Sequence, residues 1–434
     1  MRWIRQTAFM IGNARSSTYG RATGTEARTT KFCVPGTHAM RIIAVILAVS
    51  VGLCSGCQTG RALRQTIPAS PALGVENEHT ARIGDVVRQL MRRENIPGCS
   101  VAVIEHSQVV WAQGFGWRDV GRRLPVDTDT QFQAGSISKA VTALGVLMLE
   151  GTGQVSLDND VNLYLKGWRL DSRFTNTITL RQLLCHRAGM VPHGFLGYGE
   201  HAKARSTLDV LKRREPVVSW LTLHYLGTIK VVKPPGSGFS YSGGGYCVIQ
   251  KTVEDVTDQP FEEAMDRLVL QPVGMSRSTF QQPPQDTNNI ARGYGWMMNV
   301  LGGGRWRVFP EKAPAGLWTT PKDLARLAVA VQKAAAGMAN SGISPATAQE
   351  YLKPQFDEWQ GVGIRVGGDG EHHAFSHAGE NPGYCGLLIA GVSDGLGYVI
   401  MTNANKHRVT PIVQAIIDEF GWSPKPSQGK DAGQ

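Results

Sequence analysis

The distribution of strand-like and helix-like segments constrains the fold of this chain more than any other feature. Strand-like segments lie towards both ends, whereas residues 136–340 are rich in helical patterns and Gly/Pro loops. An amphipathic helix over 77–94 precedes the first strands, and a closing helix is predicted over 411–420. The predicted strands are 100–105, 109–113, 361–366, 373–377, 386–390 and 397–402. We therefore predict an α/β (α+β) fold: an antiparallel sheet flanked by terminal helices, with a mainly helical domain inserted.

The domain limits follow from the same pattern. We predict one domain over 77–422, in which 77–135 and 341–422 form the α/β part and 136–340 the mainly helical part. Residues 58–76 are expected to be a tether and 423–434 a flexible tail. With 434 residues and 42% apolar content, the chain can bury a sizeable core. Its domain cysteines show no paired spacing and are expected to be small buried apolar residues; they are Cys99, Cys185, Cys247 and Cys385.

The formal charge of +10 does not indicate a nucleic-acid partner. Residues 1–57 carry seven Lys or Arg and one Glu, so most of the excess lies in a segment expected to be removed. The remainder contains no continuous basic stripe interleaved with aromatic residues. We therefore expect a small-molecule or peptidoglycan-derived substrate instead of nucleic acid.

The stretch from Met40 to Cys57 has the pattern of an export signal. A basic residue precedes twelve mostly apolar ones, too few for a membrane-spanning helix. Its end resembles a bacterial lipobox, which implies lipidation of Cys57 and possible membrane anchoring; Cys54 departs from that pattern, so plain secretion stays open. Residues 1–39 are rich in Arg, Ser and Thr, which is typical of a transit peptide. The alternative interpretation is that translation begins at Met40. We expect an exported bacterial protein, periplasmic or anchored as a lipoprotein.

Ser136 and Lys139 stand where a helix is predicted to begin. Apolar residues at Ile137, Val141 and Leu144 recur at helical spacing, which places the Ser and the Lys on one face. An adjacent amine can take the proton of a serine hydroxyl and so activate it as a nucleophile. Taken alone, the four residues favour a helix-capping Ser beside a solvated Lys.

Two further segments resolve this ambiguity. Tyr241-Ser-Gly243 lies in a Gly/Ser-rich loop before a helical pattern, and His377-Ala-Gly379 lies in a predicted strand pair. With Ser136-Ile-Ser-Lys139, these segments resemble, in order, the motifs of the serine β-lactamase and penicillin-binding-protein superfamily. The chain is most similar to its class C β-lactamase-related branch, which includes D-alanyl peptidases and carboxylesterases. The resemblance implies the same architecture, with a site in the cleft between the two parts.

The resemblance also implies roles for individual residues. Ser136 would be the nucleophile, Lys139 the group that helps to deprotonate it, and Tyr241 a second proton-relay residue. The N–H groups of Ser136 and Glu380 would form the oxyanion hole, and Gly379 would belong to the substrate-binding strand. His377 replaces the Lys of many relatives, so we expect a site whose charge varies near neutral pH. No cofactor or metal is implied.

Three other patterns have structural interpretations. His186 is expected to hold its loop in place. His373 and His377 would be about 13 Å apart along a strand, too far to share one metal ion. Gly391-Val-Ser393-Asp-Gly395 matches the Gly-x-Ser-x-Gly pattern of esterases, but its context predicts a turn between strands instead of a nucleophile elbow.

Gly243 replaces the Asn found in many relatives, which lowers the expectation of efficient β-lactam hydrolysis. Esters, peptides and D-amino-acid amides stay open as substrates. We predict an exported serine hydrolase that forms an acyl-enzyme on Ser136. The alternative is a non-catalytic relative that binds cell-wall fragments or a partner protein.

Overall fold

The computed structural model describes residues 67–174, 177–203, 205–213, 227–295, 305–368 and 373–405. The predicted tether start, export signal, closing helix 411–420 and tail 423–434 lie outside these residues. The helices are α1 Glu78–Glu94, α2 Ile137–Gly151, α3 Leu180–Leu184, α4 Thr207–Lys212, α5 Gly243–Thr257, α6 Phe261–Met265, α7 Lys312–Ala315, α8 Pro321–Ala335 and α9 Pro345–Leu352. Short 3-10 and π turns cover Val161–Leu163 and Asp266–Leu270.

The strands of the main sheet come from both ends of the described chain. They are β1 Leu73–Gly74, β2 Gly98–Glu105, β3 Gln108–Asp119, β4 Leu124–Pro125, β11 Arg365–Gly367, β12 Ala374–Asn381, β13 Tyr384–Gly391 and β14 Gly397–Thr402. Short two-residue strands form the pairs β5 Phe132–Gln133 with β10 Trp318–Thr319, β6 Met190–Val191 with β8 Lys230–Val231, and β7 Tyr198–Gly199 with β9 Arg307–Val308.

The main sheet is antiparallel, as predicted. Its order is β1-β3-β2-β14-β13-β12-β11, with β4 on β3. The N-terminal and C-terminal strands meet at its centre, where Ala102 of β2 pairs with Val399 of β14. The two predicted segments of the α/β part therefore form one sheet.

Alternating side chains of the sheet support an apolar layer on each face. On β2, Val101 and Val103 belong to a cluster with Ile83 and Val87 of α1, whereas Ala102 and Ile104 belong to the larger core on the other face. A capping box fixes the start of α1, since the Asn77 side chain accepts from the N–H of Thr80.

The larger core contains α2 and α8. Nearly every residue of α2 is buried, so this helix runs through the interior instead of along the surface. Helix α8, which lies inside the range 136–340, packs on the sheet: Gln332 donates to the carbonyls of Gly391 and Leu396. The proposed limits of the two parts stay a prediction.

One predicted strand is wrong over most of its length. Strand β11 is Arg365–Gly367, whereas 361–366 was expected. Gly363 has φ +70°, and a Cβ there would overlap the side chain of Ala143 on α2. Residues before Arg365 thus contact the central helix instead of extending the sheet.

The four domain cysteines are buried, as expected. None of the helices in the described part of the chain is both long and apolar enough to cross a membrane.

Candidate active site

Ser136 stands at the N-terminal end of α2 with its hydroxyl free of any capping role. Gly135, at φ +52°, turns the chain into the helix, and the N–H of Ser138 donates to its carbonyl at 3.0 Å. Ser136 itself has helical φ and ψ, and its side chain makes no capping hydrogen bond. The sequence therefore forms a glycine-assisted tight turn that presents Oγ at a helix start.

Lys139 is buried next to that hydroxyl. Its Nζ donates to Ser136 Oγ at 3.0 Å and to the carbonyl of Pro314 at 2.8 Å, and the residue is 2% exposed. The alternative of a capping Ser beside a solvated Lys is thus wrong on both counts. Pro314 lies on α7, whose backbone is held in turn by the side chains of Thr142 and Gln250.

Tyr241 completes a three-residue cluster around the same oxygen. Its hydroxyl donates to Ser136 Oγ at 2.8 Å, and Lys139 Nζ lies 4.9 Å from the centre of its ring. The Tyr241 ring packs against two imidazoles, with centroid distances of 4.2 Å to His186 and 4.7 Å to His193. These ring contacts help to orient the phenol.

His186 holds the Tyr241 loop, as expected from the sequence. Its Nδ1 accepts from the N–H of Ser242 at 3.1 Å, which fixes the backbone directly after Tyr241. Burial, assisted by the charge of Lys139, lowers the pKa of His186 well below its ordinary value. A neutral ring suits this role because Nδ1 must stay unprotonated to accept.

The end of β12 packs against the turn before Ser136. A Cβ at Gly379 would overlap the carbonyl oxygen of Ala134, and one at Gly135 would lie 2.5 Å from the backbone nitrogen of Glu380. Two glycines thus allow this backbone contact, which brings the Glu380 nitrogen next to the Ser136 turn. The end of the strand is anchored by Asn381, whose side chain donates to Gln133 and to the carbonyl of Ala315.

His377 lies on β12 beside the cluster, but its expected titration near neutral pH is wrong. Burial, then the charges of Lys139 and Arg365, lower the pKa of His377 to about 3. Its Nδ1 lies 2.7 Å from the carbonyl of Ala378, a geometry in which a neutral ring donates. His377 is therefore neutral across the physiological range.

Ser393 lies away from this cluster, in the turn between β13 and β14, as predicted. Asp394 accepts from the N–H of Leu396 at 2.9 Å and closes that turn. The element that follows the serine is strand β14, so this turn lacks the strand–turn–helix geometry of a nucleophile elbow. In the described ranges, no three His, Cys, Asp or Glu side chains come together as a metal site.

Sequence reasoning missed several residues that shape the site. The carbonyl of Pro314, the side chains of Gln250 and Asn381, and the ring of His193 come from loops or distant elements. None of these residues carries a local sequence signal for its contact in the site.

The arrangement has the parts that acyl transfer requires. One hydroxyl contacts an amine and a phenol, either of which could take or return a proton, and backbone of a helix start and a strand edge lies beside it. The fold and this cluster define the class of β-lactamase and transpeptidase-like proteins.

Comparison with known proteins gives the same class. The family model described as Beta-lactamase matches residues 83–417. The chain therefore belongs to the Beta-lactamase family. Among solved structures, it is similar to an octameric penicillin-binding protein homologue from Pyrococcus abyssi, with a TM-score of 0.61, 24% identity, and coverage of 80% of this chain and 78% of that one. The predicted fold is thereby confirmed.

Curated relatives are more distant in sequence or match over a shorter length. Protein flp of Staphylococcus aureus (strain N315) is 22% identical over 358 residues, which cover 78% of this chain and 66% of that protein. Esterase EstB of Burkholderia gladioli is 32% identical over 199 residues, covering 45% of this chain and 50% of the esterase. This chain thus spans just under two thirds of the first relative's length.

Proposed function

We propose that the chain is an exported serine hydrolase that forms an acyl-enzyme on Ser136 with a small ester or amide. The observation that carries the proposal is the convergence of Lys139 Nζ and Tyr241 OH on one serine oxygen, at 3.0 and 2.8 Å. A binding module has no physical need to bury an amine beside a hydroxyl in this way.

In this proposal, Ser136 Oγ attacks the substrate carbonyl carbon as its proton passes to the free amine form of Lys139 or to the phenolate form of Tyr241. The leaving alcohol or amine then takes up a proton from the same relay, and the ester on Ser136 forms. Water attacks that ester with proton transfer in the reverse sense, which releases the acid and restores the hydroxyl. The relay is short because both partners already contact Oγ.

The developing oxyanion would be stabilised by the backbone N–H groups of Ser136 and Glu380. The helix start supplies the first donor together with the positive end of the α2 dipole. The second is brought close by the glycine contact between Gly135 and β12. His377, as a neutral ring on the same strand, would contact the substrate without adding charge.

An ester substrate is favoured by the resemblance to Esterase EstB and by Gly243 in place of the motif Asn. Peptidoglycan-derived amides are the second class, since the structural relative named above is a penicillin-binding protein homologue. The Ser136–Lys139–Tyr241 cluster suits either, because both reactions pass through the same acyl-enzyme.

Labelling with a fluorophosphonate and with a fluorescent penicillin tests the proposal. The wild-type protein and the Ser393→Ala variant should be labelled by the fluorophosphonate, and the Ser136→Ala variant should not. Labelling by the fluorophosphonate alone would favour an esterase over a penicillin-recognising enzyme. A folded wild-type protein labelled by neither reagent would instead support the binding module.

We further propose export through the signal 40–57, with Cys57 as a lipid anchor. Mass analysis of the mature N-terminus in a bacterial host tests this: a diacylated Cys57 is expected. A mature end well before Cys54 would contradict export.

A further inference from the structure

A side chain at position 243, at the start of α5, would crowd the segment packed against it. A Cβ there would lie 2.9 Å from Cε2 of Phe195 and 3.1 Å from the carbonyl oxygen of His193. The segment 191–195 therefore docks directly on the glycine-rich helix start. The Phe195 ring occupies the space into which a residue at 243 would project.

The backbone donors of the same helix start are engaged within the protein. They form three hydrogen bonds: Gly243 N–H to His193 O at 2.9 Å, Gly244 N–H to Pro192 O at 3.0 Å, and Gly245 N–H to Ser242 Oγ at 2.9 Å. A polar substituent placed against the Phe195 ring and this helix start would lose its hydrogen bonds to water. Because these N–H groups are already engaged, they could not replace those bonds, so binding of a polar group here is unfavourable.

The loop that carries Phe195 reaches Tyr241, the residue hydrogen-bonded to the nucleophile. The loop that carries Phe195 also carries His193, whose ring lies 4.7 Å from the ring of Tyr241. Tyr241 in turn contacts Ser136 Oγ at 2.8 Å. Phe195 is half-buried and packs on the core. We therefore expect a group bound to Ser136 that extends towards the start of α5 to meet the Phe195 ring.

We propose that Phe195 determines acyl-group specificity: the site takes plain alkyl or aryl acyl groups and disfavours those with an acylamino group next to the carbonyl. The inference rests on the proposed acyl-enzyme function and names its substrate class. A methylene chain is stabilised by contact with the Phe195 ring. An amide in the same place loses its hydrogen bonds to water, and the N–H groups of the helix start, which are engaged within the protein, do not replace them.

The wild-type protein alone provides the first test. We compare kcat/KM for the p-nitrophenyl esters of pentanoic acid and N-acetylglycine, which have similar length, each divided by its rate of alkaline hydrolysis. At least about 10-fold preference for pentanoate is expected. Equal rates, or preference for the N-acetylglycine ester, would overturn the inference while leaving the acyl-enzyme proposal intact.

Variants at Phe195 provide the second test. In Phe195→Ala, the ratio of kcat/KM for the p-nitrophenyl esters of pentanoate and acetate should fall about 10-fold. In Phe195→Leu, the same ratio should fall by less. Phe174→Ala is the matched control, because Phe174 is also a half-buried phenylalanine packed on the core. Fluorophosphonate labelling of Ser136 shows that each variant is folded and reactive. A labelled Phe195→Ala variant with an unchanged ratio contradicts the inference; a wild-type protein that resists labelling contradicts the proposed function itself.

Discussion

The hydroxyl of Tyr241 donates a 2.8 Å hydrogen bond to the hydroxyl of Ser136, across 105 residues of chain. The two residues lie at the starts of different helices, since Ser136 precedes α2 and Tyr241 precedes the N-cap Ser242 of α5. Side chains from two helix starts thus meet at one oxygen. Loss of either orientation should affect reactivity more than stability.

Tyr241→Phe should lower kcat/KM by about 10²- to 10⁴-fold, the usual contribution of a positioned proton-transfer group. The ring would still pack against His186 and His193, so the free energy of unfolding should change by less than about 1 kcal/mol. Steady-state kinetics with denaturant unfolding measure both quantities. Tyr164→Phe, which removes a hydroxyl hydrogen-bonded to Ser156, should keep full activity. Equal activity in both variants would show that Tyr241 takes no part in proton transfer.

Gly379→Ala should reduce both stability and activity. The added methyl would overlap the carbonyl of Ala134, so β12 must move away from the Ser136 turn, at a cost of about 1–3 kcal/mol. Gly199→Ala is the control, because a Cβ there meets no atom within 4 Å. Thermal unfolding and fluorophosphonate labelling rates are the measurements. An active, stable Gly379→Ala protein would refute the close contact between strand and turn.

Stability should rise with pH between about 3 and 6.5, with His377 as one contributor. The pKa of His377 is about 3 in the folded protein, below its ordinary value of 6.5, so the unfolded chain binds more protons in this window. Stability is therefore fully present above about pH 6.5 and is lost as pH falls, by at most about 1.4 kcal/mol per pH unit for this one group. Urea unfolding of wild type and His377→Gln at several pH values tests this. An unchanged slope in the variant would show that His377 titrates normally.

Gly243→Asn should destabilise the protein by about 1–3 kcal/mol, because the new side chain competes with Phe195 for the same space. Adding Phe195→Ala to Gly243→Asn should recover part of that loss, since the ring that causes the overlap is then absent. A double-mutant cycle by chemical denaturation measures the coupling. Strictly additive effects would mean that the two positions do not share space.

Local regularities made part of this structure predictable. The spacing of Ser136 and Lys139 fixes their shared face within one helical turn, and β14 was predicted with its observed limits, Gly397–Thr402. The turn at Ser393 followed from its Asp-Gly sequence between strands. These features depend on residues that are neighbours in the chain.

The parts that could not be predicted depend on contacts between distant segments. Nothing near Pro314 indicates that its carbonyl accepts from Lys139, and nothing near Phe195 indicates that it faces Gly243. The neutral state of His377 also escaped prediction, because it arises from burial and from charges contributed by Lys139 and Arg365. Periodicity carries no information on such pairings.

The pairing of β14 with β2 has a consequence for how the chain folds. Strand β14 lies in the middle of the sheet, so β13 and β12 can join β2 and β3 only through the last strand of the described chain. During synthesis, Ala102 of β2 can pair with Val399 of β14 only after almost the whole described chain has been made. The loop that this pairing closes is very long. Assembly should therefore be slow and late, and a nascent chain that stops before Gly397 would keep two half-sheets with unsatisfied edges.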